Sequence, residues 1–189
     1  MSITLLIPPE IEPLSLNEAK NFLRVEHDED DILIATLVSA ARNHVEAMTR
    51  RGLLLQTWRI ILDEWPRDGR IRTRLGPLRD VVAARVRDDA GNADDMDTGI
   101  FIVDGEAGVI AAPAFALPAP GRNTRGIELD VTIGFGTAAT DVPAVLRLAV
   151  RTLTAHWYDN RALVAIGGSV AMMPLSVHAM VSSYRVLSL

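Results

Sequence analysis

The chain has 189 residues, and 49% of them are hydrophobic, so it can bury a real core as one domain or two small ones. Its net charge is −5 and it has no cysteine, which excludes disulfides and thiolate metal sites. No run approaches the roughly 18–20 uninterrupted apolar residues of a membrane span. The opening "MSITLLIPPEIEP" lacks a basic segment and a small-residue cleavage site, so no signal peptide is expected.

Charge is spread unevenly. Residues 1–31 hold eight acids against Lys20 and Arg24, and after Asp141 four arginines face Asp159 alone. Lys20 is the only lysine. Arginine suits bidentate contact with carboxylates and phosphates, although a GC-rich genome explains the bias equally well.

Ser15-Leu-Asn-Glu18 is a capping box and predicts a short helix over Leu16–Arg24. The acidic turn "VEHDEDD" follows. Asp28 or Asp30 then caps a second helix, which runs through "ILIATLVSAARNHVEAMTRR" to a stop at Gly52, with Arg50 and Arg51 in its last turn. Ile32, Leu33 and Ile34 are consecutive, and Leu37, Val38, Ala40 and Ala41 follow. Successive positions lie about 100° apart, so this helix is apolar nearly all round and needs cover on more than one side.

From Gln56 the pattern changes to strands. "TWRIILDEW" reads as a strand and "PRDG" as a turn. "RIRTRL" alternates, with Arg70, Arg72 and Arg74 on one face and Ile71, Thr73 and Leu75 on the other. "DVVAARVRD" is a third strand, "DAGNADD" a turn, and "GIFIVD"–"GEAG"–"VIAA" a hairpin. "PAFALPAPGRNTRG" is too proline-rich for a central strand, and "IELDVTIGFG" is the last clear one. Asp141-Val-Pro143 opens a third long helix that ends near Asn160, with Val145, Ala149, Leu153 and Trp157 on one face. "ALVAIGGSVAMMP" is a connector with a joint at Gly167-Gly168. A short helix from Leu175 to Tyr184 and the tail "RVLSL" close the chain. The order of elements predicts an α+β fold: a helical core with an antiparallel β region inserted over residues 53–136, all within a single domain 1–189, whose segment 162–189 is connector, short helix and tail.

Catalytic motifs are weak. "GFGTAA" follows a strand, but the helix starts near Asp141 rather than at the glycines, so a strand exit fits better than a dinucleotide site. "EHDEDD" lacks the glycine and terminal glutamate of a calcium loop. The four histidines, 27, 44, 156 and 178, form no His-x-x-x-His pair, and Ser169, His178 and Asp159 lack a nucleophile elbow. No catalytic residue, metal site or cofactor is expected. The arginines of "GRNTRG" and of the Arg70/Arg72/Arg74 strip face DNA, protein or solvent. Overall acidity and the lack of lysine clusters argue against a dedicated nucleic-acid binder.

The order of pieces resembles phage head–tail connector, or adaptor, proteins, including those of gene-transfer agents. The resemblance lies in "PLSLNEAKNFLRV" at Pro13–Val25, the acidic turn His27–Asp31, Thr49–Arg51, Thr57-Trp58 and Trp65-Pro66. It continues through "GFGTAATDVPAVLRLAVRTLTAHWYDNR" and the closing "PLSVHAMVSSYRV"; residues 88–126 carry none of it. The resemblance implies a non-enzymatic subunit of a twelve-fold homo-oligomeric ring below the portal. That ring joins the capsid to a tail-side stopper protein and continues the channel through which DNA passes without sequence-specific binding. The location implied is the particle neck, after synthesis in the bacterial cytoplasm, with no membrane partner. In that setting Ile32, Leu33, Leu37, Leu153 and Trp157 are expected at subunit contacts, and Asp28, Glu29, Asp30 and Asp31 along the channel. Gly167 and Gly168 are the expected hinge, and Tyr184, Arg185, Val186, Leu187 and Leu189 the portal-docking tail. The alternatives are a nucleic-acid-binding module and a small enzyme.

Overall fold

In the computed structural model, which describes residues 1–160 and 173–185, Ser15 opens α1 (Leu16–Leu23) as its capping box predicts. Its hydroxyl accepts from the Glu18 amide while the Glu18 carboxylate accepts from the Ser15 amide, so two orphan helix-end donors are satisfied. The second helix, α2 (Asp31–Thr49), ends earlier than expected. Arg50 takes a left-handed φ of 57° and caps it through the Glu46 carbonyl, so Arg50 and Arg51 lie beyond the helix and Gly52 is not the stop.

The architecture is α+β, in two compact units. The helical unit comprises residues 10–54 and the described residues from Phe135 onward. It packs α1 and α2 with α3 (Ala144–Asp159) and α4 (Leu175–Ser182). Its core holds Ile34, Val38, Ala41 and Val45 from α2, Leu146, Ala149, Val150 and Leu153 from α3, and Val177 and Val181 from α4. Of the expected inward face of α3, Ala149 and Leu153 are buried and Trp157 packs on the core, while Val145 is replaced by its neighbour. Leu146 is buried and Val145 is exposed, because α3 is covered by α2 and α4 along the 146–150–153 row.

The β unit comprises residues 1–9 and 55–134. A five-stranded antiparallel sheet has the order β1 (Ser2–Ile7), β2 (Gln56–Leu62), β8 (Ile127–Ile133), β4 (Leu78–Arg87), β5 (Ala93–Asp95). A smaller sheet orders β3 (Arg70–Arg72), β7 (Val109–Ala111) and β6 (Ile102–Asp104), the last two being the predicted hairpin. Alternation places Ile60, Leu129, Val131 and Ala84 on the core face of the larger sheet. Two strands escaped the sequence pattern. Ser2–Ile7 pairs with β2 from outside the 53–136 segment, and Ala93–Asp95, read as turn, pairs with β4.

Candidate functional site

The aromatic end of α3, "HWYDN", is held by packing on α2. Trp157 meets the His44 ring edge-on, with centroids 5.8 Å apart. The Tyr158 hydroxyl donates to the Asp30 carboxylate at the start of α2, and the Asn160 side chain donates 2.8 Å to the His156 carbonyl. These residues lock one helix terminus to another. Asp159 and His178 are exposed, and Ser169 lies outside the described residues.

The acidic turn is largely engaged by the single lysine. Lys20 Nζ donates 2.6 Å to both Asp28 and Asp31, and its side chain is only 11% exposed. The Lys20 bond holds the Asp28 carboxyl below its usual value, although that side chain is 89% exposed. Among the described residues no group of three or more His, Cys, Asp or Glu side chains could hold a metal ion.

The glycine motif is a strand exit. Gly134 takes a φ of 129° at the end of β8, and a Cβ at Gly136 would collide with the Asp141 carboxylate, which accepts 2.9 Å from the Ala138 amide. No helix begins at these glycines; α3 starts at Ala144.

The main concentration of buried charge was not foreseen from sequence. Glu128 and Asp130 stand on the non-core face of β8, between Arg59 of β2 and Arg85 and Arg87 of β4. Arg59 grips Asp130 through Nε at 2.7 Å and Nη2 at 2.9 Å, and Arg85 Nη1 adds a third bond at 2.9 Å. Arg87 holds Glu128 at 2.7 Å. The signal was present in "IELDVTI", where two acids alternate with apolar residues and so share one face. Nearby, Arg87, Arg122 and Arg125 line an open cleft of about 600 Å³ together with Asp89 and Glu128, so the cleft walls carry both signs of charge. Among the described residues, none of these features presents a nucleophile, a base and an oxyanion donor at one point.

Residues 13–74 match the family described as phage gp6-like head-tail connector protein. A comparison with curated proteins gives no match. Among solved structures, a chain in the neck of an empty gene-transfer-agent particle, computed with C6 symmetry, superposes with a TM-score of 0.84 at 25% identity, covering 100% of this chain and 97% of that one. A chain in the virion of a native gene-transfer-agent particle gives 0.82, also at 25% identity and with the same coverage. Over residues 13–74 the chain is thus similar to phage head–tail connector proteins. A further chain, from the neck of a native particle computed with C12 symmetry, shares the fold with a TM-score of 0.80 at 24% identity over 100% of this chain and 97% of that one.

The residues expected to matter in a connector fall into three groups. Ile32 is 84% exposed, Leu33 and Leu37 are half-buried, and all three lie on α2. The exposed positions of that helix, Ile32, Ala35, Thr36, Ala40, Asn43 and Ala47, include no charge. Its ionisable groups turn inward: Arg42 binds Glu12 at 2.7 Å and Glu46 at 2.9 Å, and Glu46 also accepts from the Leu53 amide. Leu153, by contrast, is 0% exposed and Trp157 packs on the same core, so Leu153 has no surface to offer a neighbour. At the C-terminus the Tyr184 carbonyl accepts 2.7 Å from Arg51 Nε and its side chain packs on the helical core, while Arg185 is exposed. Gly167, Gly168, Val186, Leu187 and Leu189 lie outside the described residues.

Proposed function

We propose that this chain is a structural subunit of a particle neck, which assembles as a ring between the portal of a DNA-filled head and a tail-side stopper protein. The observation that carries this reading is the superposition over the whole chain on a gene-transfer-agent neck chain, joined to the connector-family match at residues 13–74. The work of such a subunit is mechanical: it holds partners together and leaves a hole. Tied charge ladders and packed helix ends suit that task, and no catalysis is assigned to the chain.

Twelve copies are the ring size in this reading, supported by the symmetry named for one similar neck. The uncharged outer face of α2, led by Ile32 with Leu33 and Leu37 at its margins, is assigned to contacts between copies, since an apolar surface without charge gains most from being covered. Asp28 and Glu29 are assigned to the channel side. DNA must slide past, and carboxylates repel phosphate where arginines would grip it. The portal contact is assigned to Arg185 and the apolar residues after it, since Tyr184 already serves its own unit. Gly167-Gly168 is the joint in this scheme.

The test is a particle-producing cell in which the gene for this chain is deleted. DNA-filled heads without tails should accumulate, and the wild-type chain supplied in trans should restore tailed particles containing rings at the head–tail junction. Normal tailed particles in the deletion would overturn the reading.

A further inference from the structure

Two edge strands of the β unit, together with the residues just past their ends, carry rows of opposite charge. β3 is the outer strand of the smaller sheet. Ile71 and Thr73 point into the core, while Arg70, Arg72 and Arg74 are exposed at intervals of two residues. Arg72 touches Asp68 at 2.9 Å, in a pair largely open to water, and Arg70 and Arg74 have no ion pair among the described residues. β5 is the outer strand of the larger sheet, and its pairing continues past Asp95 through the Met96 amide, which donates to the Ala84 carbonyl. Met96 packs on the core, while Asp95 and Asp97, again two residues apart, flank it and are exposed, the Asp97 carboxylate also accepting 2.9 Å from the Gly99 amide just beyond β5. Asp95 lies 3.2 Å from Arg85 and still has 83% of its side chain in water.

We propose that the arginine comb of one subunit, Arg70, Arg72 and Arg74, docks on the aspartate comb, Asp95 and Asp97, of the next copy of the chain. The occupant follows from charge. Pairing β3 with a second β3 sets arginine against arginine, and β5 with β5 sets aspartate against aspartate; like charges directly opposite each other are destabilising. Pairing β3 with β5 removes both conflicts and fits the shared two-residue spacing. A contact between two different patches is head-to-tail and closes into a ring where the rotation between copies closes, whereas a contact of one patch with itself stops at a dimer. The inference rests on the ring reading above and names a contact within it. Because the combs are exposed, it should weaken as salt rises.

The chain has no cysteine, so engineered thiols report without background. Arg72→Cys and Asp95→Cys are introduced singly and together, necks are isolated, and thiols are bridged with a short bismaleimide. The double variant should give a denaturing-gel ladder from dimer towards the full ring, and each single variant only monomer. In parallel, Arg70→Glu with Arg72→Glu, and separately Asp95→Arg with Asp97→Arg, should each lower tailed-particle yield at least tenfold, and the four changes combined should restore most of it. Dimers from either single cysteine variant, or no ladder from necks that imaging shows to be rings, overturn the contact and leave the ring reading standing. Wild-type necks without rings overturn the ring reading and this contact with it. Failure of the combined reversal to restore yield, with every variant folded by circular dichroism, also overturns the contact.

Discussion

Replacing Asp130 with asparagine tests whether the arginine–carboxylate ladder holds the larger sheet together. The side chain keeps its volume and loses its charge, and an amide N–H is set against guanidinium donors. Three charge-assisted bonds are affected, two from Arg59 and one from Arg85. Removing one partner of a fully buried ion pair costs about 3–5 kcal/mol. Here both arginine side chains retain 28% exposure, so water replaces part of the loss. Arg59 also keeps Glu128 at 3.3 Å, and Arg85 keeps Asp95 at 3.2 Å. The expected loss is therefore smaller, about 2 kcal/mol, or roughly 4–8 °C in Tm for a chain of this size. The pH dependence carries a sign. The Arg59 hydrogen bonds, opposed by burial and aided by Arg85, hold the Asp130 carboxyl below its usual value. A depressed carboxylate contributes stability that is fully present above its unfolded value, about pH 4, and is lost as pH falls through the lower folded value. Urea unfolding followed by circular dichroism at pH 7 and at pH 3 should thus show a gap between wild type and Asp130→Asn that narrows in acid. A variant within about 0.5 kcal/mol of wild type at pH 7, or a gap that stays constant down to pH 3, would refute the reasoning.

Three further outcomes are expected. Leu153→Ala empties a fully buried site in the helical unit and should cost about 2–5 kcal/mol, measured by thermal unfolding. Ile32→Asp changes a side chain already in water, so stability of the free chain should stay within about 0.5 kcal/mol, while rings in isolated necks counted by electron microscopy should fall sharply. Deleting Arg185–Leu189 keeps the Arg51–Tyr184 bond and should leave Tm of the free chain unchanged, yet yield heads without tails; normal attachment in that variant would remove the tail from the portal contact.

Local chemistry alone determined much of this protein. The Ser15–Glu18 box set the start of α1, the two-residue alternation of "RIRTRL" set the faces of β3, and the proline at 143 set the start of α3, because each acts through neighbours within one turn or one pleat. The run of apolar residues from Ile32 to Ala41 was likewise legible as a helix that needs cover. Tertiary structure decided which partners those elements met. Strand β1 lacks clear alternation and exists by pairing with residues 57–61, fifty or more positions away; β5 is too short and too acidic to be read as a strand until β4 lies beside it. Asp130 and Arg59 stand 71 residues apart and become one ion pair only across adjacent strands. Leu153 and Ile32 look alike as apolar helix residues. One is sealed and the other is 84% exposed, because burial depends on which neighbour arrives, and helix periodicity fixes only which residues share a face.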